Sequence, residues 1–505
     1  MMKKLLCVLL AALMLVCTFA SCDSGSTPEE TTKAQSGENN ETTGGDNGNV
    51  DATLNVPDTV YDDVELCFLT RDEGLWSTLE IYAADQTSSS DNINNAVFER
   101  NDRIYQDYGV IINEIKKVTH SEHNTIVAKE VSAPSGDFHA IITNVVNSAS
   151  YATSGYLWNL YSEEIEYLNV NNPWWDVNMA KGMSIDDKLY FATGDLLTSD
   201  NDATFTIFFN KEIAKDKGVP DLYELVSNKQ WTMDKFYEYE VQVTEQTNDG
   251  KLNYNEGIYG FAYTVDSPSC FLFSGGVTLC TKDENDIPVY SLNVDLAQNI
   301  VEKGKLLFAK DVSVDITAPA DGTDIVTAGQ KAFGENHALF FGEVMQSVTR
   351  LRGYDADFGI LPYPMYSAQQ GNYYSMMHMT ASVVSIPKSV SVNKDRNGVD
   401  IYLVNSMIEA MAYHAVDTLT EQYYEINLKT KGARDEQSGP MIDMILANRV
   451  CDLTYYYGWG GNAFQSIAQC LLPTNASNVS SMAKRLGSQI ERNISKLLTD
   501  MDKHD

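Results

Sequence analysis

The chain has 505 residues, too many for one ordinary hydrophobic core and suited to two large domains. Hydrophobic residues make up 43%, enough for a sizeable core, and 70 acidic against 36 basic residues leave a net charge of −34. That balance excludes a nucleic-acid binder, which needs clustered Lys and Arg, and suits a soluble, well-separated protein.

Lys3 and Lys4 precede an apolar run from Leu5 to Val16, too short for a comfortable membrane span and suited to a secretory signal. The run ends in Thr18-Phe19-Ala20-Ser21-Cys22, which resembles the lipobox of bacterial lipoproteins although Phe19 stands where Leu is usual. The resemblance implies a signal peptide over 1–21, lipid on Cys22 and a protein held at the extracellular face of the cell membrane. Residues 22–56 are rich in Ser, Thr, Gly, Glu and Asn and predict a disordered tether.

Val64 to Thr70 predicts the first strand, Asn92 to Tyr108 a helix, Val110 to Ile115 a strand, His120 to Glu130 a helix and Phe138 to Ile142 a strand. Strand and helix alternating in this way predict a parallel sheet with crossover helices, whose ligands sit at the carboxyl ends of the strands. Lys188 to Ala192 predicts a further short strand, Phe205 to Asn210 another, and Thr232 an N-cap. His337 to Phe341, Asp357 to Leu361 and Ala381 to Ile386 are apolar runs around a helix at Val344 to Leu351, and beyond Lys388 the chain reads as mostly helical.

Several of these stretches, in order, resemble the extracellular solute-binding proteins of bacterial ABC importers, in the broad sugar-binding group. They are Trp231-Thr232-Met233-Asp234 before a helix, Gly257-Ile258-Tyr259-Gly260-Phe261, and Asp357-Phe358-Gly359-Ile360-Leu361-Pro362-Tyr363-Pro364. Tyr373-Tyr374-Ser375, Ile386-Pro387-Lys388, Arg434-Asp435-Glu436 and Tyr457-Gly458-Trp459-Gly460 complete the set. The resemblance implies an α/β chain of two lobes with a ligand cleft between them and a multi-strand hinge. Lobe one would be 57–204 with 336–385, and lobe two 205–335 with 386–505.

Cysteines stand at 7, 17, 22, 67, 270, 280, 451 and 470. The five beyond Cys22 allow at most two disulfides, and the sequence leaves both Cys270–Cys280 and Cys451–Cys470 undecided. No Cys-x-x-Cys occurs, and His120-x-x-His123 lacks further ligands nearby and reads as part of a surface helix. No metal or cofactor is expected.

An enzyme reading would need a carboxylate pair such as Asp195 with Asp200, or Glu73 with Glu343. With so many acidic residues such pairs arise by chance, and no Gly-x-Ser-x-Gly or His-Glu-x-x-His is present. A binding reading has better material. Sugars stack an apolar face on aromatic rings and take paired hydrogen bonds from polar side chains. Trp76, Trp174, Trp175, Tyr374 and Trp459 are the stacking candidates, with Trp459 favoured because glycines flank it. Arg71, Asn147, Asp195, Ser274 and Glu343 are the polar ones. The expected function is a non-catalytic, monomeric carbohydrate receptor that delivers its ligand to the permease subunits of an importer. The alternatives are a surface polysaccharide hydrolase, or a receptor for a peptide or other solute on the same scaffold.

Overall fold

The computed structural model describes residues 52–71, 80–83, 92–117, 120–245, 257–317, 325–430 and 435–503. Cys22 with the signal run, Trp76, Glu73 and Arg434 lie outside them.

The first sheet begins with β1 (Val64–Arg71), crosses through α1 (Asn92–Tyr108) to β2 (Val110–Lys117), and through α2 (His120–Ser132) to β3 (Ala140–Asn144). β1 is central and pairs in parallel with β2 from Val64↔Val110 to Arg71↔Lys117, and with β3 at Phe68↔Ala140. α1 buries Val97, Arg100, Ile104 and Tyr108, residues three or four apart on one face. It ends at Gly109, φ +63°, where a Cβ would stand 2.1 Å from the Tyr61 carbonyl oxygen, so only glycine makes the turn into β2. α3 (Val145–Thr153) leaves β3 directly, capped by Asn144 Oδ1, which accepts from the Asn147 N–H at 2.7 Å.

The chain then crosses to a second sheet through residues 198–204. It contains β4 (Phe205–Asn210), β5 (Tyr259–Tyr263), β6 (Ser313–Asp315), β7 (Ala338–Val344) and β8 (Phe358–Leu361), in the order β8-β4-β7-β5-β6. α4 (Ser267–Ser274) follows β5 and α5 (Val294–Leu307) precedes β6. Phenylalanines fill both faces. Phe208, Phe333, Phe341 and Phe358 cluster on one, and Phe236, Phe261, Phe271 and Phe340 on the other, with the Phe236 and Phe340 rings stacked at 4.4 Å.

A second crossing, through residues 376–381, returns the chain to the first sheet as β9 (Ser382–Ser385), antiparallel to β3 with Ser382↔Asn144. α6 (Ile401–Ala415) packs on α1, whereas α7 (Ser438–Ala447) packs on β8, so the chain crosses a third time between them. α8 (Trp459–Ala468) packs on α4, and α9 (Val479–Met501) runs along α5 and touches α3.

Four expectations are corrected. Strands β7 and β8 belong to the second sheet, not to a first lobe that includes 336–385. β7 is held between β4 and β5 by ladders such as Phe205↔Val344 and Phe261↔Phe340. Residues 386–415 return to the first sheet, where the Trp158 indole donates to the Val390 carbonyl at 2.8 Å. Lys188 to Ala192 makes isolated bridges at its two ends rather than a strand. The tether stops short of residue 56, because Ala52, Leu54 and Val56 alternate against the core. In addition, His123 is buried at 1% exposure with its ring stacked on Tyr151, not on a surface face. All five described cysteines are free thiols, and among the described residues no cluster suits a metal.

Candidate ligand-binding cleft

The carboxyl ends of β1 and β3 open toward the carboxyl ends of β5 and β7, and the first two of the three crossing segments run between them. Side chains from both sheets meet here. Arg71, the last residue of β1, donates from Nη2 to the Thr380 carbonyl and to Ser382 Oγ at 3.2 Å. His378, on the second crossing, places Nε2 3.9 Å from Asp266 Oδ2 and Nδ1 2.5 Å from Thr380 Oγ1. Asp266 stands at the start of α4, just beyond β5. Burial holds the His378 imidazole below its ordinary pKa, against the pull of Asp266 and with Arg71 adding to the drop. Glu343, near the end of β7, is pushed up to about 7 by burial and by Asp266, although the Val344 N–H favours its charged form.

Alongside lies a cavity of about 320 Å³ between α3 of the first sheet and the C-terminal helices that pack on the second. Val146, Ser150, Tyr456, Tyr457, Trp459 and Asn493 help to line it. Tyr457 and Trp459 form its aromatic wall, with ring centroids 5.3 Å apart. Gly458, Gly460, Gly461 and Asn462 all have φ between +60° and +68°. This left-handed run needs glycine or asparagine, and it carries the chain from Tyr457 into α8 with Trp459 held inward. Tyr456 bonds through its hydroxyl to the Met377 carbonyl at 3.0 Å, fixing the wall to the second crossing.

No family model matches the chain, and no curated protein sequence does. Solved structures do. The galacto-N-biose/lacto-N-biose I-binding protein of a Bifidobacterium longum ABC transporter aligns at TM-score 0.54 and 11% identity, over 87% of this chain and 98% of that one. An ABC substrate-binding protein of Listeria monocytogenes, in complex with cycloalternan, aligns at 0.52 and 12% over 86% and 100%. An acarbose-binding receptor of Streptomyces glaucescens aligns at 0.52 and 14% over 86% and 98%. The chain has the two-lobed fold of ABC-importer sugar-binding proteins.

Within that binding-protein fold the expected site residues divide. Arg71 and Asn147 stand at the carboxyl ends of β1 and β3, Asn147 bracing the first turn of α3 by donating from Nδ2 to Thr143 Oγ1 at 3.3 Å. Glu343 stands near the end of β7 within electrostatic reach of Asp266, and Trp459 lines the cavity, although at 5% exposure it is also a core residue whose loss would destabilise the protein. Tyr374 is half-buried beside Gly276, where a Cβ would stand 3.6 Å from its ring. Four expected site residues fail on packing. Trp174 and Trp175 are 3% and 4% exposed, and both indoles donate to the buried carboxylate of Glu409, so neither offers a face to a ligand. Ser274 closes α4 at the end away from β5, with its hydroxyl bonded to the Phe271 carbonyl at 3.3 Å. Asp195 is tied to Thr420 Oγ1 at 2.9 Å. His378 and Asp266 were not anticipated. The available signal was that Asp266 directly follows a strand of the second sheet and opens a helix, the same carboxyl-end placement that singled out Arg71.

The first crossing carries Asp200 and Asp202, both buried. Asp202 Oδ1 accepts from the Tyr423 hydroxyl at 2.6 Å, and Glu80 Oε1 accepts the N–H groups of Thr198 and Ser199 at 2.7 and 2.6 Å. Burial raises Asp202 to about 7 and Asp200 to about 6, with Tyr423 and Arg449 respectively opposing the rise. An unfolded aspartate ionises near pH 4, about three pH units lower than folded Asp202. Below pH 4 both states hold the proton. From there to pH 7 only the unfolded chain has lost it, so this contribution to stability falls as pH rises and is gone above pH 7. Asp202→Asn is therefore expected to gain stability relative to the unmodified protein between pH 5 and pH 8, on the order of 2 kcal/mol. Urea titrations at the two pH values check it, and an equal difference at both would refute the buried-proton assignment.

Proposed function

We propose that this protein is the lipid-anchored, extracellular receptor of an ABC importer, which binds a sugar or oligosaccharide between its lobes and presents it to the permease. The observation that carries the reading is the convergence of Arg71 from the first sheet with Asp266 from the second around His378, with Glu343 of the second sheet in electrostatic reach of Asp266, beside the Tyr457–Trp459 wall. Such an arrangement offers hydroxyl partners from both sides and an aromatic surface for a C–H face. A ligand touching both lobes favours the closed state through that double contact alone. The fold adds support, since the Bifidobacterium, Listeria and Streptomyces proteins are described with lacto-N-biose, cycloalternan and acarbose respectively.

A thermal-shift screen of the purified protein against neutral oligosaccharides is expected to find a ligand that raises its melting temperature, because binding to the native state stabilises it. Tyr457→Ala should weaken that ligand roughly tenfold, the scale of losing one aromatic contact. Scattering should show a smaller radius of gyration with the ligand present, and the ligand should be recovered unchanged after hours. Hydrolysis products would move the protein to the glycosidase class. A panel that leaves the melting temperature unmoved, with a peptide that raises it, would move it to another ligand class.

A further inference from the structure

A second and larger cavity, about 640 Å³, lies at the opposite end of the first sheet. Residues 52, 53 and 55 form one wall and the stretch 160–172 supplies the other. From the first wall the chain runs to the amino end of β1, and on the way the Tyr61 N–H bonds to the Tyr108 carbonyl at 2.7 Å, at the turn into the amino end of β2. The cleft lies beyond the carboxyl ends of those same strands. An eight-residue strand therefore separates the two places, a span of roughly 25 Å.

The lining has a definite chemistry. Tyr161 is 42% exposed, and Tyr167 bonds through its hydroxyl to Glu166, with the exposed Tyr402 beside it. Asn55 and Asn169 add amides. Ser162 Oγ, also in the lining, is buried without a hydrogen-bond partner. Among the described residues no Lys, Arg or His lines the cavity, which does not suit phosphate, sulfate or an acidic peptide. The wall is also held rigid. The Tyr167 N–H donates to Asn405 Oδ1 at 2.9 Å, the Asn169 N–H to Glu409 Oε2 at 3.2 Å, and Asn172 Nδ2 to Glu409 Oε1 at 2.6 Å. A wall fixed to α6 before binding loses little freedom on binding. Tyrosine faces, amides and one carboxylate without a cation suit a neutral polyhydroxyl ligand, whose C–H faces stack and whose hydroxyls donate to the carboxylate and amide oxygens.

We propose that this cavity is a second carbohydrate site, which holds a neutral polysaccharide chain at the outer end of the first lobe, apart from the cleft. The test is native electrophoresis of the full chain in gels cast with amylopectin, arabinoxylan or galactomannan, with the cleft followed in parallel by thermal shift. At least one polysaccharide is expected to retard the protein. Tyr161→Ala and Glu166→Ala should each weaken that retardation roughly tenfold, while Tyr457→Ala leaves it in place. Both substitutions at the outer site are exposed and should leave the melting temperature of the unliganded protein unchanged. The proposal is overturned if no gel retards the protein, or if the Tyr161 and Glu166 variants migrate as the unmodified protein does. If retardation depends on Tyr161 although no oligosaccharide shifts the melting temperature, the outer site stands and the cleft reading falls.

Discussion

Arg449→Met is expected to lower the stability of the protein by about 3–5 kcal/mol, the range for removing one partner of a buried ion pair. Arg449 forms ion pairs with Asp176 Oδ2 at 2.8 Å and Asp200 Oδ2 at 3.1 Å, and all three side chains are under 10% exposed. Asp176 also caps the helix Val177–Met183, accepting from the Met179 N–H at 2.9 Å. One guanidinium thus joins a helix start, the first crossing and the strand Arg449–Val450. Without it two carboxylates are left buried beside each other. The urea midpoint should fall markedly at pH 7. It should fall less at pH 5, where protonated Asp200 no longer needs a cation, its folded pKa lying at about 6 even with Arg449 present. An equal loss at both pH values would show that packing, not charge, is what Arg449 supplies.

Glu409→Leu is expected to cost a similar amount. Its carboxylate, on a residue 1% exposed, accepts from the Trp174 and Trp175 indoles at 3.0 and 2.8 Å, from Asn172 Nδ2 at 2.6 Å and from the Asn169 N–H at 3.2 Å. Leucine removes every acceptor and leaves those donors unpaired, at about 1–3 kcal/mol for each that finds no water. A loss of about 4 kcal/mol is the expected sum when the exposed ones rehydrate. Glu409→Gln keeps one acceptor and should lose roughly half as much. Denaturant curves for the two variants give the comparison, and a Leu variant as stable as the Gln variant would show that the hydrogen bonds contribute little.

What could be read from the sequence was local. β1, α1, the strand at Phe205–Asn210 and the Thr232 cap follow from periodicity and from side chains that reach their own backbone, as Thr232 Oγ1 reaches the Lys235 N–H at 3.4 Å. The partners of β7 were not legible, because an apolar strand states that it is buried and not beside which strand. The tryptophan pair misled for a related reason. Its fate depends on Glu409, 235 positions from Trp174, and no local pattern links them. Arg71 and Asn147 could be singled out because a rule about strand ends needs only the strands. Asp266 and His378 were missed because that rule was applied to the first sheet alone.

The three crossings also shape how the molecule is made. The edge strand of the first sheet, β9, is encoded at Ser382–Ser385, whereas its neighbour β3 ends at Asn144, so an entire second sheet intervenes. The helix that covers α1 comes later still, at Ile401–Ala415. The first-encoded lobe is therefore completed only after the whole second sheet has been made. Until about four fifths of the chain is available, β3 has an open edge and α1 an uncovered apolar face. Pairings this distant close slowly, and the waiting intermediate is prone to aggregate. The same continuity that gives the finished molecule a jointed, inseparable pair of lobes leaves its early half dependent on its late half for protection during synthesis.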